Sequence, residues 1–191
     1  MTSELRELAK HSLPTYACLT LAIGAAFVGD LLTFGRRKAL EPSRFLLIFI
    51  EGSLYAILMR LAGSYVQGSL RLAQGGSAED GVFPSIVMAL GAGFYEEVAF
   101  RVGLFGIGAL TLRKVFSGSK VVLFTIAWGF IEAMAFSRWH YTGALGEDWD
   151  AGSFVFRAVC GLVLTAIFAF RGFAPAVWTH ALYDLWVMII G

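Results

Sequence analysis

Two adjacent glutamates followed by an arginine form the stretch of the chain with the clearest chemical potential: Glu96, Glu97 and Arg101, within the otherwise apolar run 91–101. Charged side chains in such a run are costly to place in a membrane, so they are candidates for function. Glu97 and Arg101 are four residues apart, on one face of a helix, where they can form an ion pair. Because a structural pair needs only one glutamate, Glu96 is left as a candidate general base.

The chain has three histidines, and two of them have neighbours that suggest chemistry. His140 ends the run 136–140, which begins with Phe136. His180 and Asp184 are four residues apart and therefore share a helix face. Imidazoles combined with a carboxylate base are typical of a centre that activates water and binds an oxyanion. His11 lies in the polar stretch 1–12, where we expect it to be solvated.

Other catalytic motifs are absent from the sequence. There is no GxSxG or HExxH motif, and Cys18 and Cys160 form no CxxC pair. A serine or cysteine nucleophile, a disulfide framework and a structural zinc site are therefore not indicated. The sequence predicts no cofactor, and zinc held by the Glu, His and Asp side chains is the alternative.

The elements that position these residues are predicted to be membrane helices. The 191 residues are 58% hydrophobic and 15% charged, with a mean hydropathy of +0.71, which excludes an ordinary soluble domain. The net charge of +1 gives no basic field for nucleic acid. At about 20 apolar residues per span, the sequence predicts an all-α, polytopic transmembrane helical bundle in a single membrane domain, 1–191. The six predicted spans are 14–34, 45–66, 84–112, 121–140, 153–170 and 174–190.

Several further charged residues fall within or at the ends of these spans, and we expect most of them to be structural. Arg60 and Arg138 lie near span ends, where a long side chain can reach the interface. Asp30 lies near the end of the first span. Glu51, Glu132 and Arg157 are interpreted as paired packing residues.

The distribution of basic residues predicts the orientation. Eight lie in the loops 35–44 and 113–120 and at position 171, against three in the segments predicted on the other side: Arg6, Lys10 and Arg71. The positive-inside rule therefore places both termini outside the cytoplasm in a multi-pass cell-membrane protein. In this orientation His140 lies at the outer end of its span.

Three motifs, in order and on separate predicted spans, give the sequence a resemblance to the CPBP family of intramembrane glutamic endopeptidases, which includes CAAX prenyl proteases and bacteriocin-processing proteins. EExxxR matches residues 96–101, FxxxH matches 136–140, and the third motif, HxxxN or HxxxD, matches 180–184. The resemblance covers the chain from about residue 84 onwards and implies a catalytic core at 84–191.

The resemblance implies a role for each matched residue. Glu96 would take a proton from the attacking water, which His140 holds, while Glu97 and Arg101 order the first helix of the site. His180 and Asp184 would face the scissile carbonyl and stabilise the oxyanion. Familiar members carry Asn in place of Asp184, and an ionised Asp cannot donate a hydrogen bond. We therefore expect Asp184 to orient His180, as a triad aspartate orients its histidine.

The expected partners are the lipid bilayer and a membrane-anchored protein or peptide substrate. A site in the outward half of the membrane favours an exported protein that is cut at a C-terminal anchor. The alternatives are an endopeptidase for CAAX-type prenylated tails, a zinc-dependent intramembrane protease, a proton-coupled transporter and a non-catalytic protein on the protease scaffold.

Overall fold

The computed structural model describes residues 41–69, 82–143 and 146–190, together with the isolated positions Cys18, Leu21 and Ala25. The regular structure of these ranges is entirely helical, which confirms the predicted all-α fold. In chain order the elements are α1 (Pro42–Ser69), α2 (Val82–Glu96), a π-helical segment (Glu97–Gly106), α3 (Ile107–Val115), α4 (Ser119–Trp139), α5 (Ala151–Arg171) and α6 (Phe173–Ile190).

Three helices of the described residues are long and apolar enough to cross a membrane: Pro42–Ala62 within α1, and the whole of α4 and α5. Their outward faces carry large apolar side chains, of which Leu47, Leu123 and Phe170 are 63%, 64% and 84% exposed. Apolar surface of this extent is compatible with lipid as the surrounding solvent. The chain is a helical membrane protein.

The predicted spans can be compared with these helices one by one. Spans 45–66, 121–140, 153–170 and 174–190 coincide with α1, α4, α5 and α6. Span 84–112 lies in one unbroken helical run from Val82 to Val115. Apart from the isolated positions Cys18, Leu21 and Ala25, the first span, 14–34, lies outside the described residues. Asp30, the basic residues at 36–38 and His11 lie outside them as well. The total of six spans therefore stays a prediction.

The helical run from Val82 to Val115 is not α-helical throughout, because the segment Glu97–Gly106 has π-helical geometry. The wider i→i+5 turn of a π-helix is frequently found at functional sites. Trp128 of α4 donates its indole N–H to the carbonyl oxygen of Leu104 at 3.0 Å, which ties the segment to α4. The interpretation of residues 96–101 as plain α-helix is thereby corrected, although Glu97 and Arg101 still meet.

Helix α6 is the central element of the described bundle and packs against α1, α2 and α5. Small residues allow it to approach α2 closely: a Cβ atom added at Gly93 would lie 2.8 Å from the Cβ of Ala181, a distance too short for any side chain. This close approach brings the end of α2, where Glu96 lies, next to His180.

Two of the charged span residues form ion pairs away from Glu96 and Glu97, as the sequence predicts. Glu51 accepts hydrogen bonds from Nε and Nη2 of Arg171 at 2.5 and 2.9 Å. Arg157 donates to Glu147 at 2.6 Å. The interpretation of Glu51 and Arg157 as paired structural residues is therefore confirmed.

Helices α4 and α5 run in opposite directions, because only the short segment 140–150 connects them. Asp150 begins α5 by accepting a hydrogen bond from the backbone N–H of Ser153 at 2.6 Å, an N-cap. Lys120 at the start of α4 and Arg171 at the end of α5 therefore lie at one end of the bundle. His140 lies at the opposite end.

This arrangement makes the predicted orientation testable. A reporter inserted between α3 and α4, beside Arg113 and Lys114, should read as cytoplasmic, because that end of the bundle carries the basic residues. A reporter fused after Gly191 should read as extracytoplasmic. Alkaline phosphatase and green fluorescent protein fusions at both positions measure this, and the reverse pattern would contradict an outward-facing site.

Candidate active site

The predicted ion pair between Glu97 and Arg101 is present and lies in the interior of the bundle. The Nε of Arg101 lies 3.2 Å from Oε2 of Glu97, and neither side chain has any exposed surface. A charge buried in this way is strongly destabilising without its partner. The pair therefore fixes the start of the π-helical segment.

Arg101 has a partner on every side of its guanidinium group. Its Nη1 lies 3.3 Å from Oε1 of Glu132, and its Nη2 donates to the carbonyl oxygen of Gly161 at 3.3 Å. The ring of Phe136 lies under the guanidinium carbon, with its centroid at 4.4 Å, a cation–π contact. Two buried carboxylates thus share one cation.

Glu132 is the residue of this cluster that sequence reasoning placed elsewhere, as a packing residue. It does pair, but with Arg101 at the centre of the candidate site. The available signal was its spacing: Glu132, Phe136 and His140 follow one another at intervals of four and therefore share one face of α4. The FxxxH motif has a carboxylate one turn before it.

His180 connects the glutamate pair to α6. Its Nδ1 lies 2.9 Å from Oε1 of Glu97. Its Nε2 lies 3.6 Å from Oδ2 of Asp184 and 3.8 Å from Oε2 of Glu96. Because a carboxylate ion-paired with arginine is an acceptor, Nδ1 carries the proton in this contact. The other ring nitrogen therefore faces the two remaining carboxylates.

The expected role of Asp184 in orienting His180 stays a prediction, but the structure places another carboxylate beside Nδ1 of the ring. The contact that would orient the imidazole through Nδ1 is made by Glu97, at 2.9 Å. Asp184 lies instead beside Nε2, at 3.6 Å, longer than a direct hydrogen bond. Glu97 and Asp184 therefore lie beside opposite nitrogens of the His180 ring.

His140 is held at the end of α4 by backbone contacts. Its Nδ1 lies 3.1 Å from the carbonyl oxygen of Phe136, and its own carbonyl accepts the N–H of Glu147 at 3.0 Å. Since a carbonyl can only accept, Nδ1 is the protonated nitrogen and Nε2 of the neutral ring is an acceptor. His140 also interacts electrostatically with Glu96.

All six residues singled out from the sequence come together in this part of the bundle. They are Glu96 from α2, Glu97 and Arg101 from the π-helical segment, His140 from the end of α4, and His180 and Asp184 from α6. Arg138 stays outside the cluster, where it donates to the carbonyl oxygen of Tyr141. Within the described ranges, no three His, Cys, Asp or Glu side chains are arranged to hold a metal ion.

The cluster predicts a large effect of removing its cation. Arg101→Ala leaves Glu97 and Glu132 buried without a counter-charge, which should cost about 3–5 kcal/mol of stability. We expect a lower membrane level and a lower melting temperature in detergent, measured by fluorescence-detected size-exclusion chromatography after heating. The control is Arg138→Ala, at an exposed position, which should behave as wild type. A normal melting temperature for Arg101→Ala would contradict this account.

Comparison with known proteins identifies a protease family that the chain matches. The chain matches the family described as type II CAAX prenyl endopeptidase, Rce1-like, over residues 78–186, more than half of its length and a range that contains all six clustered residues. None of the curated proteins and none of the solved structures gives a match. Members of the matched family are proteases, as the CPBP motifs implied. The chain therefore belongs to the Rce1-like family of type II CAAX prenyl endopeptidases.

Proposed function

We infer that the protein is an intramembrane endopeptidase in which Glu96 activates a water molecule for attack on a peptide bond. The observation that carries this proposal is the position of Glu96: the residue is 3% exposed, and its Oε2 lies 3.8 Å from Nε2 of His180. A buried carboxylate beside an imidazole is suited to a proton-transfer role.

The hydrogen-bonding state of His140 supports a role in holding the water. With Nδ1 donating to the Phe136 carbonyl, its Nε2 accepts one proton of the water. Glu96 accepts the other, so that an oxygen lone pair is directed at the scissile carbonyl. Glu96 takes the proton as the water oxygen bonds to the carbonyl carbon. It then gives that proton to the leaving nitrogen as the C–N bond breaks, which yields an amine and a carboxylic acid; the acid loses its remaining proton to water after release.

His180 and Asp184 are suited to the oxyanion that forms on the carbonyl oxygen. Because Nδ1 of His180 donates to Glu97, donation from Nε2 requires the doubly protonated ring. Glu96, Glu97 and Asp184 all lie within 4 Å of its nitrogens and supply the counter-charge. A donor placed in this way before the reaction stabilises the transition state more than the substrate.

The substrate class follows from the site and the membrane together. A site among lipid-embedded helices favours a polypeptide that is itself anchored in the membrane and is cut close to its anchor. His140 lies at the end of the bundle opposite the basic residues, so the predicted orientation favours an exported protein with a C-terminal anchor. The family match supports the alternative, a CAAX-type prenylated tail.

Two internally quenched probes distinguish these substrates in liposomes that contain the purified protein. One is a farnesylated peptide that ends in a CAAX motif, and the other is a peptide with an apolar C-terminal anchor. Cleavage of the first supports the prenylated tail, and cleavage of the second supports the exported anchor. If the wild-type protein cleaves neither, the proposed function is contradicted.

Glu96→Gln should abolish cleavage of whichever probe is accepted. Glutamine keeps the size and the hydrogen bonds of glutamate but cannot accept the proton of water, so kcat should fall by about 10²-fold or more. The control is Glu51→Gln, which changes a membrane carboxylate bound to Arg171 and should leave kcat unchanged. Near-normal cleavage by Glu96→Gln would contradict the glutamate mechanism.

Inhibition of the wild type by a chelator, reversed by zinc, would favour the metal alternative.

Asp184→Asn and Asp184→Ala test whether Asp184 acts through a hydrogen bond or through its negative charge. The asparagine amide can donate a hydrogen bond directly, as at the same position in familiar relatives, so Asp184→Asn should keep most of its activity. Asp184→Ala removes the contact and should lower kcat by about 10²-fold. Initial rates at equal protein levels give the comparison. If both variants are equally inactive, the negative charge itself is required.

A further inference from the structure

We propose that Glu132 is a positioning residue, which holds Arg101 so that Glu97 keeps one oxygen for His180. The inference rests on the proposed function, because it concerns the same site. It starts from the two carboxylates that share Arg101. Oε2 of Glu97 lies 3.2 Å from Nε and Oε1 of Glu132 lies 3.3 Å from Nη1, and all three side chains are fully buried.

Glu97 and Glu132 lie beside different nitrogens of the Arg101 guanidinium group, which is not the usual way in which arginine pairs with a carboxylate. Arginine and a carboxylate prefer a bidentate pair, in which two N–H groups meet both carboxylate oxygens. If Glu97 paired with Arg101 in this way, Oε1 would leave Nδ1 of His180, which it now meets at 2.9 Å. Such a pair would use Nε and Nη2, which share one edge of the guanidinium group. Nη2 donates instead to the carbonyl oxygen of Gly161, and Glu132 at Nη1 keeps the group from turning towards Glu97.

Glu132 is itself fixed from α5. The hydroxyl of Thr165 lies 2.5 Å from Oε2 of Glu132 and 2.9 Å from the carbonyl oxygen of Gly161, which is also the acceptor for Nη2 of Arg101. Helices α4 and α5 therefore together hold Nη1 and Nη2 of the Arg101 guanidinium group. The same face of α4 carries Phe136, whose ring contacts both Arg101 and His180.

Glu132→Gln tests the role of the charge without disturbing the shape. The amide oxygen can still accept from Nη1, its NH₂ group can donate to the Thr165 oxygen, and the Thr165 hydroxyl can donate to Gly161. Every buried polar group thus keeps a partner, and the variant should fold. A neutral acceptor holds arginine less strongly than a carboxylate does. In this variant, Arg101 should therefore interact more strongly with Glu97. We expect kcat to fall about 10-fold with KM within about 2-fold.

Glu132→Leu removes the acceptor altogether and should lower kcat further, again with little change in KM. The control is Glu51→Gln, in which kcat should not change. A purely structural role would instead lower the protein level and the melting temperature and leave kcat per folded molecule unchanged. Wild-type kcat in folded Glu132→Leu would overturn the proposal.

Arg101→Lys supplies a second test that does not depend on folding of one variant alone. Lysine is a point charge and cannot form a bidentate pair, so it cannot draw both oxygens of Glu97. In the Arg101→Lys background, Glu132→Gln should therefore cost less than in the wild type, and the two changes should not be additive. Additive losses would overturn the proposal. Full activity of Glu132→Gln together with an inactive Glu96→Gln would overturn it while leaving the proposed function in place.

Discussion

The arrangement of the site depends on the way Glu97 divides its two oxygens between Arg101 and His180. One oxygen pairs with the guanidinium at 3.2 Å, and the other meets the imidazole at 2.9 Å. Through this one carboxylate the π-helical segment is joined to α6, and the ring of His180 is turned so that its second nitrogen faces Glu96 and Asp184. Glu97 is thus the link between a structural ion pair and the groups proposed to act on the substrate.

Buried charges such as those of Glu97 and Arg101 are costly in a membrane interior, so each of them needs a partner. Isolated charges are costly there, and breaking a buried pair costs more than the pair contributes. The described bundle meets this requirement by surrounding Arg101 with two carboxylates, a carbonyl oxygen and an aromatic ring. Glu97 and Glu132 supply counter-charges for Arg101, and the proposed mechanism gives the adjacent Glu96 a separate task, proton transfer.

The sequence predicted the helical membrane fold and singled out six residues that the structure brings together, because both inferences depend on local signals. Apolar stretches of membrane length identify spans, and charges within them identify candidates for function. The detailed partnerships could not be predicted in the same way. The contact between Glu97 and Nδ1 of His180 joins residues that are 83 positions apart in the sequence. Glu132 was assigned a packing role because its partner is on another helix, and the π-helical turn has no marker in the apolar sequence.

The most direct test of the central claim is cleavage in water labelled with oxygen-18, followed under single-turnover conditions by mass spectrometry of the products and of the intact protein. If Glu96 activates a water molecule, one labelled oxygen should enter the new carboxyl group of the substrate, and none should enter the protein. A label on Glu96 would mean that this carboxylate attacks the peptide bond itself through a covalent intermediate. That result would contradict the mechanism proposed from the geometry of the site.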